Sequence, residues 1–214
     1  MDEAVAVSLL RKKPDLSWRS YLYCAVDVET TGLDLHTDEV ISVGAVTIIE
    51  GRFKSVGNFY EEITPSKEPS HSSIQVHGLR GVDLATAKSA EIVIPSLIEY
   101  IEGKYLIAHA SWVEKAFLSH RMARYGYKYP KGVIDTAALA RYAGYADKDN
   151  GHEPSLEFLA RKLNLPVHTP HHALGDALTT AAVFLALAAR IEKKLSDEKG
   201  EILTLDTLLS LSKR

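Results

Sequence analysis

The stretch "YLYCAVDVETTGL", Tyr21 to Leu33, reads as a buried β-strand that carries two residues a core strand does not want. Its aromatic and β-branched residues, closed by Gly32, have the composition of a strand entering a turn. Side chains alternate across a strand, so Cys24, Val26 and Val28 take one face and Asp27 and Glu29 the other. The two acids then stand roughly 7 Å apart along the strand. Like charges so placed repel. A divalent cation between them offsets the cost, and hard carboxylate oxygens suit Mg²⁺ or Mn²⁺. On spacing alone, a strand end whose acids reach solvent is an equal reading.

Outward from this strand, "EVISVGAVTIIE" (Glu39 to Glu50) is a second β-branched run, and Glu50-Gly51 a tight turn into a third, "RFKSVGNFYEEI". Short connections favour antiparallel pairing. Beyond "TPSKEPS" the period changes. "EIVIPSLIEYIEG" has helical spacing, "KYLIAHA" reads as a strand and "SWVEKAFLSHRMARYG" as a helix. "GVIDTAALARYAG" reads as a short strand running into a helix, and "PSLEFLARKLNL" as a helix. The Ala-rich "PHHALGDALTTAAVFLALAARIEKKL" is a long final helix. This order predicts an α/β fold: a mixed five-stranded sheet, antiparallel meander plus parallel strands, flanked by helices. No linker divides the chain, so residues 1–214 are expected to form one domain. Its core spans about 20–190, with an N-terminal helix over 1–20 and a C-terminal tail over 191–214 as appendages.

The formal net charge of −3 gives no general attraction for polyanions, so nucleic-acid binding would need a local basic patch or bound metal. Cys24 is the single cysteine, which excludes an intrachain disulfide and suits a reducing compartment. "MDEAVAV" is no secretory signal, and the apolar run Ala181 to Ala189 is too short for a bilayer. A cytoplasmic protein without membrane contact is expected.

"TPHHALGDAL" opens the last helix. Thr169 is the expected N-cap and Pro170 the first helical residue. That puts His171 at the helix mouth and Asp176 about a turn and a half on. A zinc site at His168, His171 and His172 lacks a helical H-x-x-x-H pair or a Cys partner, since His168 precedes the expected helix.

"VDVETTGL" and "HHALGDA" together resemble the DEDDh 3′–5′ exonucleases, the DnaQ-like group with an RNase H-like fold that includes polymerase III epsilon-type proofreading subunits. Asp27, Glu29, Thr31 and Gly32 match the family's first motif; His171, Ala173 and Asp176 match its last. "VHGL", "IDTAALAR" and "SLEFLARKLNL" agree in order, so the resemblance covers roughly residues 20–190. It implies a metal-dependent exonuclease that releases nucleoside monophosphates with two divalent cations. Asp27 would bridge the ions, Glu29 and Asp176 would complete one site, and His171 would be the general base. Thr30, Thr31, Gly32 and Leu33 would hold the terminal nucleotide, with His77 in the same pocket.

The middle motif departs from the family pattern H-N-x-x-F-D. "HASWVE" puts Glu114 where Asp is expected, Ala110 for Asn and Val113 for Phe. Glu114 is read as a working fourth acid. "SWVE" is also the Ser-x-x-Glu pattern of a capping box, in which Glu114 would serve the helix start. The corresponding alternative is a catalytically impaired nucleic-acid-binding or polymerase-associated module. The expected partner is a single-stranded 3′ end of DNA or RNA. Lys115, Arg121, Arg124, Lys128 and Lys131, with Tyr125, Tyr127 and Tyr129 interleaved, could contact it or form a solvated face. The tail carries Ile202, Leu205, Leu208 and Leu209 at helical spacing. These cover the domain itself or dock a polymerase subunit or second copy.

Overall fold

Strand β1 (Tyr23–Thr30) is the centre of the sheet. In this computed structural model, residues 16–53, 56–130, 132–145 and 153–213 are described. On one side, β1 pairs antiparallel with β2 (Val40–Ile49). The far edge of β2 carries both β3 (Arg52–Phe53) and β4 (Phe59–Glu62). On its other side, β1 runs parallel to β5 (Tyr105–Ala108), which runs parallel to β6 (Ile134–Asp135). Among the described residues, six strands thus fill the five expected lanes. The predicted third strand is in two pieces because Phe53 pairs with Ile48 while Phe59 pairs with Ala45. The chain advances further than β2 between those pairs, so one ladder cannot continue. Gly57, at φ +77°, lies in the excursion.

Among the described residues, the α-helices are α1 (His71–His77), α2 (Gly81–Leu84), α3 (Ala90–Ile101), α4 (Trp112–Ala123), α5 (Thr136–Tyr142), α6 (Leu156–Lys162), α7 (Ala173–Lys199) and α8 (Leu205–Leu211). The alternation of β1 divides the core into two layers. Cys24, Val26 and Val28 pack with Val93, Ile94 and Leu97 of α3 and Phe117, Leu118 and Met122 of α4. Burial pushes the Cys24 thiol up to about 12, so it is an inert packing group. Tyr23 and Ala25 face the other way, with Val46 and Ile48, under Ala177, Ala181, Phe184 and Leu187 of α7. At 27 residues α7 has the length and apolar character to cross a bilayer, but 61% of its apolar window is buried inside the protein.

Helix α7 does not begin as the sequence suggests. Its N-cap is His172, whose ring accepts from the Gly175 N–H, and Thr169 caps nothing there. Thr169 and His171 lie in the left-handed region, at φ +25° and +58°, which a helix cannot contain. The segment instead folds back over the first helical turn. A Cβ at Gly175 would lie 2.4 Å from the Thr169 carbonyl oxygen and 2.6 Å from that of His168, so only glycine admits the fold-back.

Of the predicted N-terminal helix, residues 1–15 lie outside the described residues, and Trp18–Ser20 form a 3-10 turn. The C-terminal segment is built into the domain. Leu203, Leu205, Leu208 and Leu211 are buried in the α7 layer, and the Trp18 N–H donates to the Leu203 carbonyl at 3.0 Å. Of the apolar face suggested as a docking helix, Leu205 and Leu208 are thus buried in the domain and Leu209 partly so, while Ile202 is exposed.

Candidate active site

The register of the sheet builds the site. Asp27 is opposite Gly44, and Gly44 opposite Tyr60, so the three share one face in one row. In the next row on that face, Glu29 is opposite Ser42 and Ser42 opposite Glu62. Helix α7 begins on this face above Gly44, where a Cβ would lie 2.2 Å from the Ala173 carbonyl oxygen. That approach delivers Asp176 to the strand acids. Carboxylate oxygens of Asp27, Glu29 and Asp176 lie within 4.8 Å of one another.

Their electrostatics are those of crowded, poorly solvated anions. Burial raises Asp27 well above the usual carboxylate range, and Glu114, Asp176 and Glu29 add to it. Glu29 is pushed up to about 7, first by burial and then by Asp176. Asp176 is also raised by burial, against the pull of the His171 N–H, which donates to its Oδ2 at 2.9 Å.

Glu114 projects from the first turn of α4 and is 3% exposed. Its Oε2 has no hydrogen-bond partner, and burial pushes the carboxyl up to about 8. It stands outside the close trio, yet it heads the charges acting on Asp27. The capping-box geometry is absent. The Ser111 side chain makes no cap bond, and the Ser111 N–H donates to Asp135 Oδ2 at 2.8 Å. Asp135 was not singled out by the sequence. It also caps α5 through the Ala137 and Ala138 N–H groups, tying the starts of α4 and α5 together. Its signal is an acid at the junction of a strand and a helix, where N-caps sit.

His171 and Asp176 line a cleft of about 400 Å³ that also takes in Asp27, His109 and Thr179. His109 shares a hydrogen bond at 2.9 Å with Thr136 Oγ1, and burial lowers its pKa. A second pocket of about 420 Å³ opens beside Glu29, lined by Thr30, Gly32, Leu33, His77, Val76 and Val113 among others. Thr31 is not in its lining. Its buried hydroxyl donates to Asp38 Oδ1 at 2.8 Å and accepts from the Glu39 N–H at 3.0 Å. The room at Gly32 is taken by Asp38, whose Oδ2 would lie 2.4 Å from a Cβ there. His77 Nδ1 accepts from the Leu79 N–H at 3.0 Å, so its proton sits on Nε2, 3.2 Å from the Thr30 carbonyl oxygen. Burial lowers the pKa of His77, in keeping with a neutral ring. Asp38, Ser70, Ser72 and Ser73 also line this pocket and carried no motif.

The basic segment is partly committed elsewhere. Arg121 Nη2 pairs with Glu39 Oε1 at 3.0 Å, and Tyr127 and Tyr129 pack against the α3–α4 layer. Lys131 lies outside the described residues.

The family model "RNase_T: Exonuclease" matches residues 24–184. A DNA polymerase III PolC-type protein of Thermotoga petrophila is 32% identical over 180 residues, covering 84% of this chain and 13% of that protein. A DNA polymerase III subunit epsilon-like protein of Rhodobacter capsulatus is 30% identical over 185 residues, covering 85% of this chain and 26% of that one. The chain therefore spans about a quarter or less of these relatives. Exonuclease X in complex with 5′ overhanging duplex DNA superposes with a TM-score of 0.64 at 22% identity, covering 89% of this chain and 99% of that chain. The nuclease domain of 3′hExo, a DEDDh family member bound to rAMP, gives a TM-score of 0.64 at 18% identity, covering 86% of this chain and 96% of that chain. These two likenesses concern the fold. With most of its length matched by the family model, the chain belongs to the exonuclease family.

Proposed function

We propose that the chain is a 3′–5′ exonuclease that hydrolyses the terminal phosphodiester of a DNA or RNA strand and releases nucleoside monophosphates. One observation carries the reading: Asp27, Glu29 and Asp176 converge within 4.8 Å between a cleft and a nucleotide-sized pocket. The donor set fits hard divalent cations, Mg²⁺ or Mn²⁺. It is all carboxylate, and the charges acting on Asp27 are themselves acidic. Glu114, with an unpartnered oxygen and the largest charge effect on Asp27, would be a further acceptor. Asp27, Glu29 and Asp176 would hold one ion, and Asp27 with Glu114 a second. A pair of such ions stabilises the attacking and leaving oxygens of an in-line displacement.

The remaining steps fall to the protein. His171, in the cleft with Asp27 and Asp176, takes the proton of the attacking water. Thr30, Gly32 and Leu33 receive the terminal nucleotide, with the loop pinned by His77 through the Thr30 carbonyl. Thr31 acts indirectly by holding Asp38. The free, buried Cys24 suits a reducing, cytoplasmic setting. Association with a polymerase is consistent with relatives named as DNA polymerase III proteins.

A second reading rests on Glu114 standing outside the close trio. A centre short of its fourth acid would bind strands without cutting them. The deciding experiment incubates 5′-labelled single-stranded DNA and RNA with Mg²⁺ or Mn²⁺, then with EDTA. Stepwise shortening from the 3′ end that EDTA stops supports the exonuclease. Retention of strands without shortening supports the impaired module.

A further inference from the structure

His171 sits in a left-handed conformation that non-glycine residues hold only when their surroundings impose it. Two contacts impose it here. Its N–H is bound by Asp176, and the next residue, His172, is fixed as the N-cap of α7. His172 is held a second way. Its ring stacks on Tyr60, with centroids 4.5 Å apart and planes 23° from parallel. Tyr60 is the far member of the row Asp27–Gly44–Tyr60, and its hydroxyl donates to Glu62 Oε1 at 2.9 Å. The start of α7 therefore rests on two adjacent supports. Gly44 provides a bare backbone under Ala173, and Tyr60 provides a ring against His172.

We propose that Tyr60 is a positioning residue: by stacking on His172 it sets the distance between His171 and the acids of β1. The proposal rests on the reading of His171 as general base. Tyr60 touches no reacting atom in this scheme. It acts through His172, whose carbonyl also accepts the Asp176 N–H at 2.9 Å, so a shift there displaces both His171 and Asp176. A displacement of about 1 Å at a reacting group can cost on the order of 100-fold in rate.

The test compares Tyr60→Phe, Tyr60→Leu and Tyr60→Ala on a single-stranded oligonucleotide with Mg²⁺ or Mn²⁺, reading kcat and KM separately. Tyr60→Phe keeps the stack and is expected to keep kcat within about threefold, whereas Tyr60→Leu and Tyr60→Ala lower kcat about 10–100-fold with KM little changed. Leucine fills the space without stacking, so it answers the question if the alanine variant fails to fold. Wild-type kcat in folded Tyr60→Leu overturns the proposal. So does a loss in Tyr60→Phe equal to that in Tyr60→Leu, which would assign the effect to the hydroxyl and Glu62. His171→Gln, measured in parallel, separates the two readings. If it is inactive while Tyr60→Leu is normal, only the positioning role fails. If it is fully active, the general-base role fails and the positioning role with it.

Discussion

The backbone N–H of His171 donates to Asp176 Oδ2 at 2.9 Å. One contact thus joins the residue assigned to move the proton to a residue assigned to hold metal. Because the donor is main chain, it survives removal of the imidazole. His171→Ala is therefore expected to bind Mg²⁺ or Mn²⁺ as before while its single-turnover rate falls about 10²–10⁴-fold. Calorimetric metal titration and rapid-quench cleavage check the two halves. Unchanged turnover would remove His171 from the base role.

Glu114 offers a sharper contrast. A buried acid with an unpartnered oxygen is costly in the metal-free protein, so Glu114→Gln should raise the melting temperature in EDTA at mildly alkaline pH. The same change removes a negative ligand, and the single-turnover rate should fall about 10–100-fold. A variant that is more stable but cuts at the wild-type rate would show that Glu114 has no part in the centre.

The site was legible where chemistry is written into local spacing and illegible where it depends on packing. Asp27 and Glu29 share a face because strand side chains alternate, and the sequence alone shows that. The parallel and antiparallel lanes followed from connection lengths. What sequence could not show is the start of α7. Thr169-Pro170 has the composition of a helix N-terminus, but the contact of Gly175 with the His168 and Thr169 carbonyls moves the cap to His172. The capping-box alternative at Ser111 fails for a similar reason, because Asp135 on the neighbouring strand β6 takes the Ser111 N–H. Thr31 and Gly32 stood out by motif, yet Thr31 holds Asp38 and Gly32, besides lining the pocket, makes room for it, and no local pattern marks Asp38.

Gly44 carries no motif and should be among the least replaceable residues near the site. A Cβ there would lie 2.2 Å from the Ala173 carbonyl oxygen and 2.3 Å from the Leu174 nitrogen, and main chain cannot rotate away. Gly44→Ala must lift the first turn of α7 off the sheet. Overpacking of this kind costs about 1–3 kcal/mol. Because the turn carries Asp176, metal affinity should fall as well. Chemical denaturation and metal titration together check this; lost stability with unchanged metal affinity would mean the helix start yields without moving Asp176.

The raised carboxylates make the metal-free protein sensitive to pH in a defined direction. Glu29 is pushed from 4.5 to about 7 and Glu114 from 4.5 to about 8, whereas both ionise near 4.5 in the unfolded chain. Wherever the unfolded chain binds fewer protons than the folded one, stability falls as pH rises. Below 6.5, His77 and His109 act in the opposite sense, since burial lowers both rings from that value. The acids therefore act unopposed by these two histidines from about 6.5 to about 8. In EDTA the melting temperature should decline across that window. Mg²⁺ or Mn²⁺ binds the ionised carboxylates and should flatten or reverse the decline. Glu114→Gln should remove the upper part of it, and a melting temperature that rises with pH in EDTA would contradict the crowding of these acids.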